Sequence, residues 1–500
     1  MTVHSHVNGN EGQCIRQSGA TLLASIGKRE VTASIDSIAD RMHAASDKIW
    51  HYAETRFNTP KSVQIYYDWL HENGFSVQKQ AAGISNAFVA TAGSGRPVIG
   101  ILAEYDALEK MSQVAGSARR ESEVDGAAGH GCGHNLLGIA ALGAALSVKR
   151  FIEEHHVTGT VKLFGCPAEE SGYGKAYMAK SGLFNTLDVA LAWHPSDLSS
   201  AWTEKTLAVL QAMFCFKGVA SHASSAPSAG RSALDAAEMM NIGVNYLREH
   251  VPDQTRIHYA YLDAGGAAAN VVPDSAVLHY FMRTPEPTAV QPLFERVCQI
   301  AKGAALIADT TVDIKIDSAC LNYLPNRALT RVMYENFKQL APLDFESTDY
   351  RYADRYIQMF GSADRERLRQ RLKMAFPDRP AAWITEQITC SLNPHLPEMD
   401  HGGLAMMSTD VGDVSWIVPT AQVQVACEPQ GTMPHAWQWV ANGTSSVAHK
   451  GMDLAAKIIA MTAVDVLLDP NCVAASHIEH AANLNGRVYR SLIPNGKQPN

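Results

Sequence analysis

The sequence predicts an α/β protein: a mostly parallel sheet with helices on both faces, interrupted by a smaller inserted domain of ferredoxin-like type. Three observations predict it. Short, continuously apolar runs alternate with helical patterns, the signature of parallel strands covered on both sides. Near residue 210 the order changes to strand, helix, strand, strand, helix, strand, and after residue 410 the first style resumes. The chain has 500 residues, too many for one simple core.

Taken in order, residues 1–30 lack pattern and are expected to form a loose N-terminal arm. From Ile35 to about Asn73, apolar residues recur at helical spacing (Ile35, Ile38, Met42, then Ile49, Tyr52, then Val63, Tyr67, Leu70), and Gly74 suits a helix end. VIGILA (98–103), TVKLFG (160–165) and LDVALAW (187–193) read as strands, with a helix over 136–155 between the first two. The inserted domain, 208–320, offers strands at 210–218, 256–265, 275–283 and 311–317, with helices at 232–250 and 293–309. VSWIVPT (414–420) and a helix near 446–466 return to the larger unit, which comprises 31–207 and 321–500. Within it, 341–400 is charged and proline-spotted, an insertion of helices and loops near the site or a subunit contact.

Bulk properties narrow the function. Apolar residues make up 46% and charged residues 18%, as in a soluble globular enzyme. A net charge of −8 provides no basic footprint for nucleic acid or an anionic membrane. The nine cysteines are an odd, scattered set, which suits free thiols in a reducing compartment. The first residues carry no basic-then-apolar leader, and no apolar run is long enough to span a membrane; a cytoplasmic location is expected.

Four segments fall at strand ends, where open α/β sheets bind ligands. They are Glu104-Tyr105-Asp106, the glycine-rich loop GAAGHGCGHNLLG (126–138), Pro167-Ala168-Glu169-Glu170 and Trp193-His194-Pro195. Thiolate, imidazole and carboxylate are the donors that a first-row metal selects. Singly each has a plain reading: a turn, a solvated glutamate pair, a strand-end histidine, a cysteine that is a nucleophile or nothing. Jointly, on consecutive strand exits, they point to a metal centre. Adjacent glutamates fit hydrolysis, one holding metal while its neighbour accepts a proton from water.

At this point GHGCGHN, GCPAEESG, AWHP, KGVASHASSAP and NVVPDSAVLHYFMR resemble the aminoacylase/carboxypeptidase-G type of zinc-dependent amidohydrolases, in the branch with a Cys-Gly-His loop. The resemblance runs from about residue 35 to the C-terminus, with 341–400 outside the common core. It implies two divalent ions, zinc or manganese with cobalt also possible. Cys132, His134 and Glu170 would be ligands, His194 a ligand of the second ion, and Glu169 the general base on metal-activated water. Asp106 would orient a ligand, since Glu104-Tyr105-Asp106 lacks the family's usual histidine there. The last ligand is His435 or His449, with His435 favoured because a loop aims a side chain freely. His222 would reach a partner subunit's active site, and Asn270 and Arg283 would recognise substrate polar groups and its carboxylate. The turn MSTDVGD (407–413) departs from the family pattern and is given no role.

The expected function is hydrolysis of the amide in an N-acyl or N-aroyl amino acid such as p-aminobenzoyl-glutamate, by a homodimer or a heteromer with a related subunit. An N-acyl-amino-acid or dipeptide hydrolase, a non-catalytic subunit that keeps the fold, and a structural zinc protein remain as alternatives. Trp193, Trp202, Trp416, Trp437 and Trp439 suit either an aromatic pocket or the core.

Overall fold

The computed structural model describes residues 9–399 and 402–499, with side chains from residue 22 onward. Helices α1 (Gly9–Tyr52) and α2 (Pro60–Glu72) precede strands β1 (Ser76–Lys79), β2 (Phe88–Ser94) and β3 (Val98–Glu104). Next come α3 (His134–Glu154), β4 (Gly159–Cys166), α4 (Gly174–Lys180), β5 (Val189–Ser196) and β6 (Ser200–Ala201). The inserted domain is β7 (Ala208–Lys217), α5 (Ala233–Leu247), β8 (Arg256–Asp263), β9 (Ser275–Thr284), α6 (Pro287–Ile307) and β10 (Thr311–Cys320). After α7 (Arg327–Leu340), the segment 341–400 supplies α8 (Ser347–Ile357), α9 (Ser362–Ala375) and α10 (Ala381–Gln387). The chain then forms α11 (Val411–Ser415), β11 (Thr420–Ala426), α12 (Trp437–Asn442), α13 (Ser446–Leu468) and α14 (Pro470–Leu484).

The larger sheet has the order β1-β2-β4-β3-β5-β11-β6. Strands β4, β3, β5 and β11 are parallel. The flanking strands β1, β2 and β6 pair antiparallel. Alternate residues of the parallel strands face opposite ways. Ile101, Leu163 and Leu191 meet the side built from α1, α3, α7 and α13. Leu102, Phe164 and Ala190 meet the side carrying α4 and α11, whose core continues into the inserted domain. Buried on all sides, α3 is apolar enough along its length to span a membrane, yet it sits in the core. The smaller sheet is antiparallel with the order β10-β7-β9-β8, the split βαβ arrangement expected for 208–320.

Three expectations need correction. Residues 1–8 lie outside the described residues, but the rest of the expected arm is helical from Gly9, because Gly27 and Val31 continue the buried stripe of α1 and Gly27 packs against the Phe151 ring. The helical pattern from Ile35 to Asn73 is two helices, broken at 53–59, with Gly74 in the left-handed region after the second. VSWIVPT is not a strand: its start belongs to α11, and the strand is TAQVQVA one step later, where Ala421, Val423 and Val425 are buried.

Candidate metal centre

The parallel strands end at one edge of the sheet, and their exits deliver the donors. In register, Glu104 at the end of β3 lies beside Cys166 at the end of β4, and His194 lies in β5 next to β11. The loop after Leu108 returns through Gly131-Cys132-Gly133 to start α3 at His134. Gly133 has φ 76°, and a Cβ there would press on Pro195 and the Trp439 indole, so glycine lets the loop pass beneath His194.

The donor atoms converge. Cys132 Sγ lies 3.3 Å from His194 Nε2. His134 Nε2 lies 3.3 Å from Glu104 Oε2 and 3.9 Å from Glu169 Oε2. His435 Nε2 lies 3.4 Å from Glu170 Oε2. Cys132 belongs to two donor sets, one with His134 and His194 and one with Glu170 and His435, each with its ligand atoms within 4.8 Å of one another. Both imidazoles of the first set are oriented from behind. His134 Nδ1 donates to the Asp106 carbonyl at 3.0 Å, and His194 Nδ1 donates to the Pro195 carbonyl at 2.7 Å, leaving each Nε2 free to face the cluster.

Asp106 shapes the turn that carries the two glutamates. Its carboxylate oxygens accept the Glu169 and Glu170 amide N–H groups, each at 3.1 Å. These bonds hold the turn in which Ala168 takes φ 64°, an unfavourable backbone state for alanine that the surroundings impose. His435 also sits in the left-handed region, and its N–H donates to the Gly131 carbonyl, which ties its loop to the cysteine loop.

Electrostatics asks for cations. Burial and the Glu170 carboxylate push the Cys132 thiol up, but the His194 and His134 imidazoles overcome them and bring it down to about 6. Hydrogen bonds to Cys132 and Glu170 hold His435 up at about 11. Burial, then the carboxylates of Glu104, Asp410 and Glu170, push Glu169 well above the ordinary carboxylate range. Glu104 and Glu170, despite burial, are held low by Lys175 and His134 and by His435 and His134 respectively. Buried polar atoms at the centre, namely Glu104 Oε2, His134 Nε2 and Glu170 Oε1, have no hydrogen-bond partner. Thiolate, imidazoles and carboxylates with partnerless atoms aimed together fit divalent ions.

The structure thus gathers Cys132, His134, Glu169, Glu170, His194, His435 and Asp106. His449 lies elsewhere: its Nε2 meets Asp47 at 2.9 Å and its ring stacks on His43. His130, the first histidine of the loop, is buried against the Ile49 carbonyl and pushed down to about 3 by burial, with His134 adding to the effect. His222 and Asn270 are exposed on loops of the inserted domain; the His222 ring accepts the Ser224 and Ser225 N–H groups and reaches none of the donors. Arg283, at the end of β9, reaches back to the larger unit, where its Nε donates to Ser408 at 3.2 Å. Of the tryptophans, 193, 202, 416 and 439 are core residues, and Trp437 is half-buried two positions after His435.

Sequence reasoning passed over three residues, Glu104 as a donor and the pair behind it. Lys175 is fully buried, and its Nζ contacts Glu104 at 2.7 Å and Asp410. Asp410 also accepts the Lys175 amide at 2.8 Å. The available signal was a lysine at the start of the helix GKAYMAK, just beyond the glutamate pair, and an aspartate in a turn otherwise uncharged until Asp413.

The chain is 40% identical to one of the subunits of the p-aminobenzoyl-glutamate hydrolase of Escherichia coli (strain K12) over 472 residues, 94% of this chain and 98% of that protein. It is 29% identical to the Xaa-Arg dipeptidase of Mus musculus, covering 64% of this chain and 73% of that one. Its fold matches a dinuclear metal binding peptidase of the M20 family from Bacillus subtilis, with a TM-score of 0.53 at 16% identity over 86% of this chain and 99% of that one. The model of peptidase family M20/M25/M40 matches residues 100–436, and the chain therefore belongs to that family and is an amide-bond hydrolase.

Proposed function

We propose that the chain cleaves the amide of an N-acyl or N-aroyl amino acid, with p-aminobenzoyl-glutamate the first substrate to try, at a centre for two divalent ions. The observation that carries this reading is Cys132 shared by two donor sets, with the Glu169 carboxylate beside them 3.9 Å from His134 Nε2. Cys132, His134 and His194 would hold one ion, and Cys132, Glu170 and His435 the other. Zinc, manganese or cobalt, when bound, supplies Lewis acidity that acidifies water and polarises a carbonyl.

The chain's own groups do the rest. Glu169 accepts the proton of the attacking water and returns it to the departing amine nitrogen. Asp106 fixes the turn that presents Glu169 and Glu170. Arg283 binds the substrate carboxylate through its planar fork. His222 and Asn270, exposed and outside this chain's donor sets, serve the active site of a partner subunit, where His222 stabilises the oxyanion. The Escherichia coli relative is by name one subunit of its enzyme, which favours a heteromer with a related chain; a homodimer meets the same need. Half-buried Trp437 near the exposed His435 offers a wall for an aryl group.

The test is amine release by the metal-loaded protein from p-aminobenzoyl-glutamate, N-acyl amino acids and Xaa-Arg dipeptides. The dipeptides are included because the mouse relative favours that second reading. Glu169→Ala should bind metal as the parent does and lose roughly 10²–10⁴-fold in kcat. Hydrolysis near the parent rate in that variant would refute the mechanism.

A further inference from the structure

We infer that Glu104 is a fourth protein ligand on the His134–His194 side of the centre, anchored by the buried Lys175–Asp410 pair. This deepens the two-ion reading and rests on it. Glu104 is 3% exposed, and its two oxygens have different fates. Oε1 is fastened by the Lys175 ammonium at 2.7 Å. Oε2 is buried with no hydrogen-bond partner and lies 3.3 Å from His134 Nε2, which also lacks one. His134 Nδ1 donates to the Asp106 carbonyl, so Nε2 is the ring atom turned toward Glu104 and, on a metal-bound neutral ring, the one that offers a lone pair. The two atoms stand within hydrogen-bond distance yet make no hydrogen bond, an arrangement suited to a divalent ion that both would hold.

The spacing agrees. Bonds of about 2.0–2.1 Å to nitrogen and oxygen at a tetrahedral angle separate the two donor atoms by about 3.3 Å. The Glu104–His134 separation is 3.3 Å. Glu169 is the competing carboxylate, but its Oε2 stands at 3.9 Å from His134 Nε2. Lys175 fastens Glu104 and not Glu169, so one carboxylate is held as a ligand while the other stays free to move a proton.

The consequence is an asymmetric centre. On the His134 side, Glu104 groups within 4.8 Å with His134 and Glu169, and through the shared His134 it would add a fourth donor to Cys132, His134 and His194, as in sites that hold an ion firmly. On the other side, Cys132, Glu170 and His435 make three, with the His435 side chain 54% exposed at the mouth, so the open position for substrate lies there. Lys175 and Asp410 are positioning residues: they touch neither donor set except through Glu104.

The experiment is an equilibrium titration of the full chain with Co²⁺, read by visible absorption and by competition with a chromophoric chelator. The parent should bind two ions. Glu104→Gln should keep one and weaken the other about 100-fold or more, with loss of one set of Co²⁺ bands. Lys175→Met should weaken that same ion by about 10–100-fold. If Glu104→Gln does not fold, Glu104→Asp keeps the charge beside Lys175, withdraws the oxygen by one methylene, and should show the same loss. Two ions bound with parental affinity and spectra by the folded Glu104 variant would overturn the inference alone. A folded parent that binds no Co²⁺ would instead overturn the two-ion reading beneath it.

Discussion

Gly138→Ala pits two effects against each other, and the structure says which wins. Gly138 lies in the second turn of α3, where alanine is better than glycine by about 1 kcal/mol in an open helix. Here a Cβ would sit 2.0 Å from the Tyr66 hydroxyl and 2.3 Å from the Glu104 carbonyl oxygen. Ordinary carbon–oxygen contact is about 3.3 Å, so helix and strand must part by about 1 Å, or Tyr66 must leave. Tyr66 is fully buried between Phe88 and Tyr105, with ring centroids at 5.6 and 5.1 Å, and has nowhere to swing. Overpacking of this kind costs about 1–3 kcal/mol, and two clashes put Gly138 at the upper end. The net loss is about 2 kcal/mol. The displaced backbone is that of Glu104, so a shift of about 1 Å should also cost about 100-fold in activity. Chemical denaturation and turnover measure the two losses. Gly303→Ala in α6 is the control, since nothing lies within 4 Å of its Cβ position and the variant should gain stability. A Gly138 variant as stable and as active as the parent would refute the packing argument.

Asp413 is buried with its oxygens accepting from the Leu321 amide and the Tyr489 hydroxyl, each at 2.8 Å, and burial pushes it up to about 7. An acid whose folded pKa exceeds its unfolded value of about 3.9 stabilises the fold fully below that value, and the contribution is lost as pH rises through about 7. Asp413→Asn removes this step, so its melting temperature should gain on the parent's between pH 4 and 7; parallel curves would count against the assignment. Arg371 of α9 makes a two-pronged pair with the buried Asp197, three residues beyond His194. Arg371→Ala leaves that carboxylate held by the Gly431 N–H and should cost about 2–4 kcal/mol, tempered because Arg371 is about one-third exposed. Denaturation midpoints within experimental error of the parent would show the helical segment to be independent of the β5 loop.

The architecture was legible because its signals are local. Continuous apolar runs at 98–103, 160–165 and 187–193 became β3, β4 and β5, and the order of elements in 208–320 became the second sheet. The flanking strands β1, β2 and β6 were not legible: β1 and β6 are short, and all three pair antiparallel and share no pattern with the parallel core. The start of α1 was not legible because, among its described side chains, the one packed against Phe151 is Gly27, a poor helix former. At the centre, donors in strand-exit motifs could be read, since residue type and position coincide. Lys175 and Asp410 could not, because they lie 235 positions apart in sequence and acquire meaning only when folding buries them together.

That buried pair bears on how the fold itself is held. Around one lysine, the strand exits gather Glu104, Asp106, Glu169, Glu170, Asp410 and the Cys132 thiol, all buried or nearly so. Lys175 compensates Glu104 and Asp410, and amide N–H groups compensate Asp106. The charge of Cys132 and Glu170 has the imidazoles alone, which are neutral when they act as ligands. A buried anion without a partner costs several kcal/mol, so these exits are an unfavourable way to end a sheet until cations arrive. Metal binding and stability of this edge are therefore one equilibrium, and each divalent ion contributes to folding in proportion to the logarithm of its concentration over its Kd. Stripping the metal should therefore leave the apolar core of the sheet folded and loosen the loops bearing Cys132, Glu169 and His435, which amide hydrogen exchange with and without a chelator would measure.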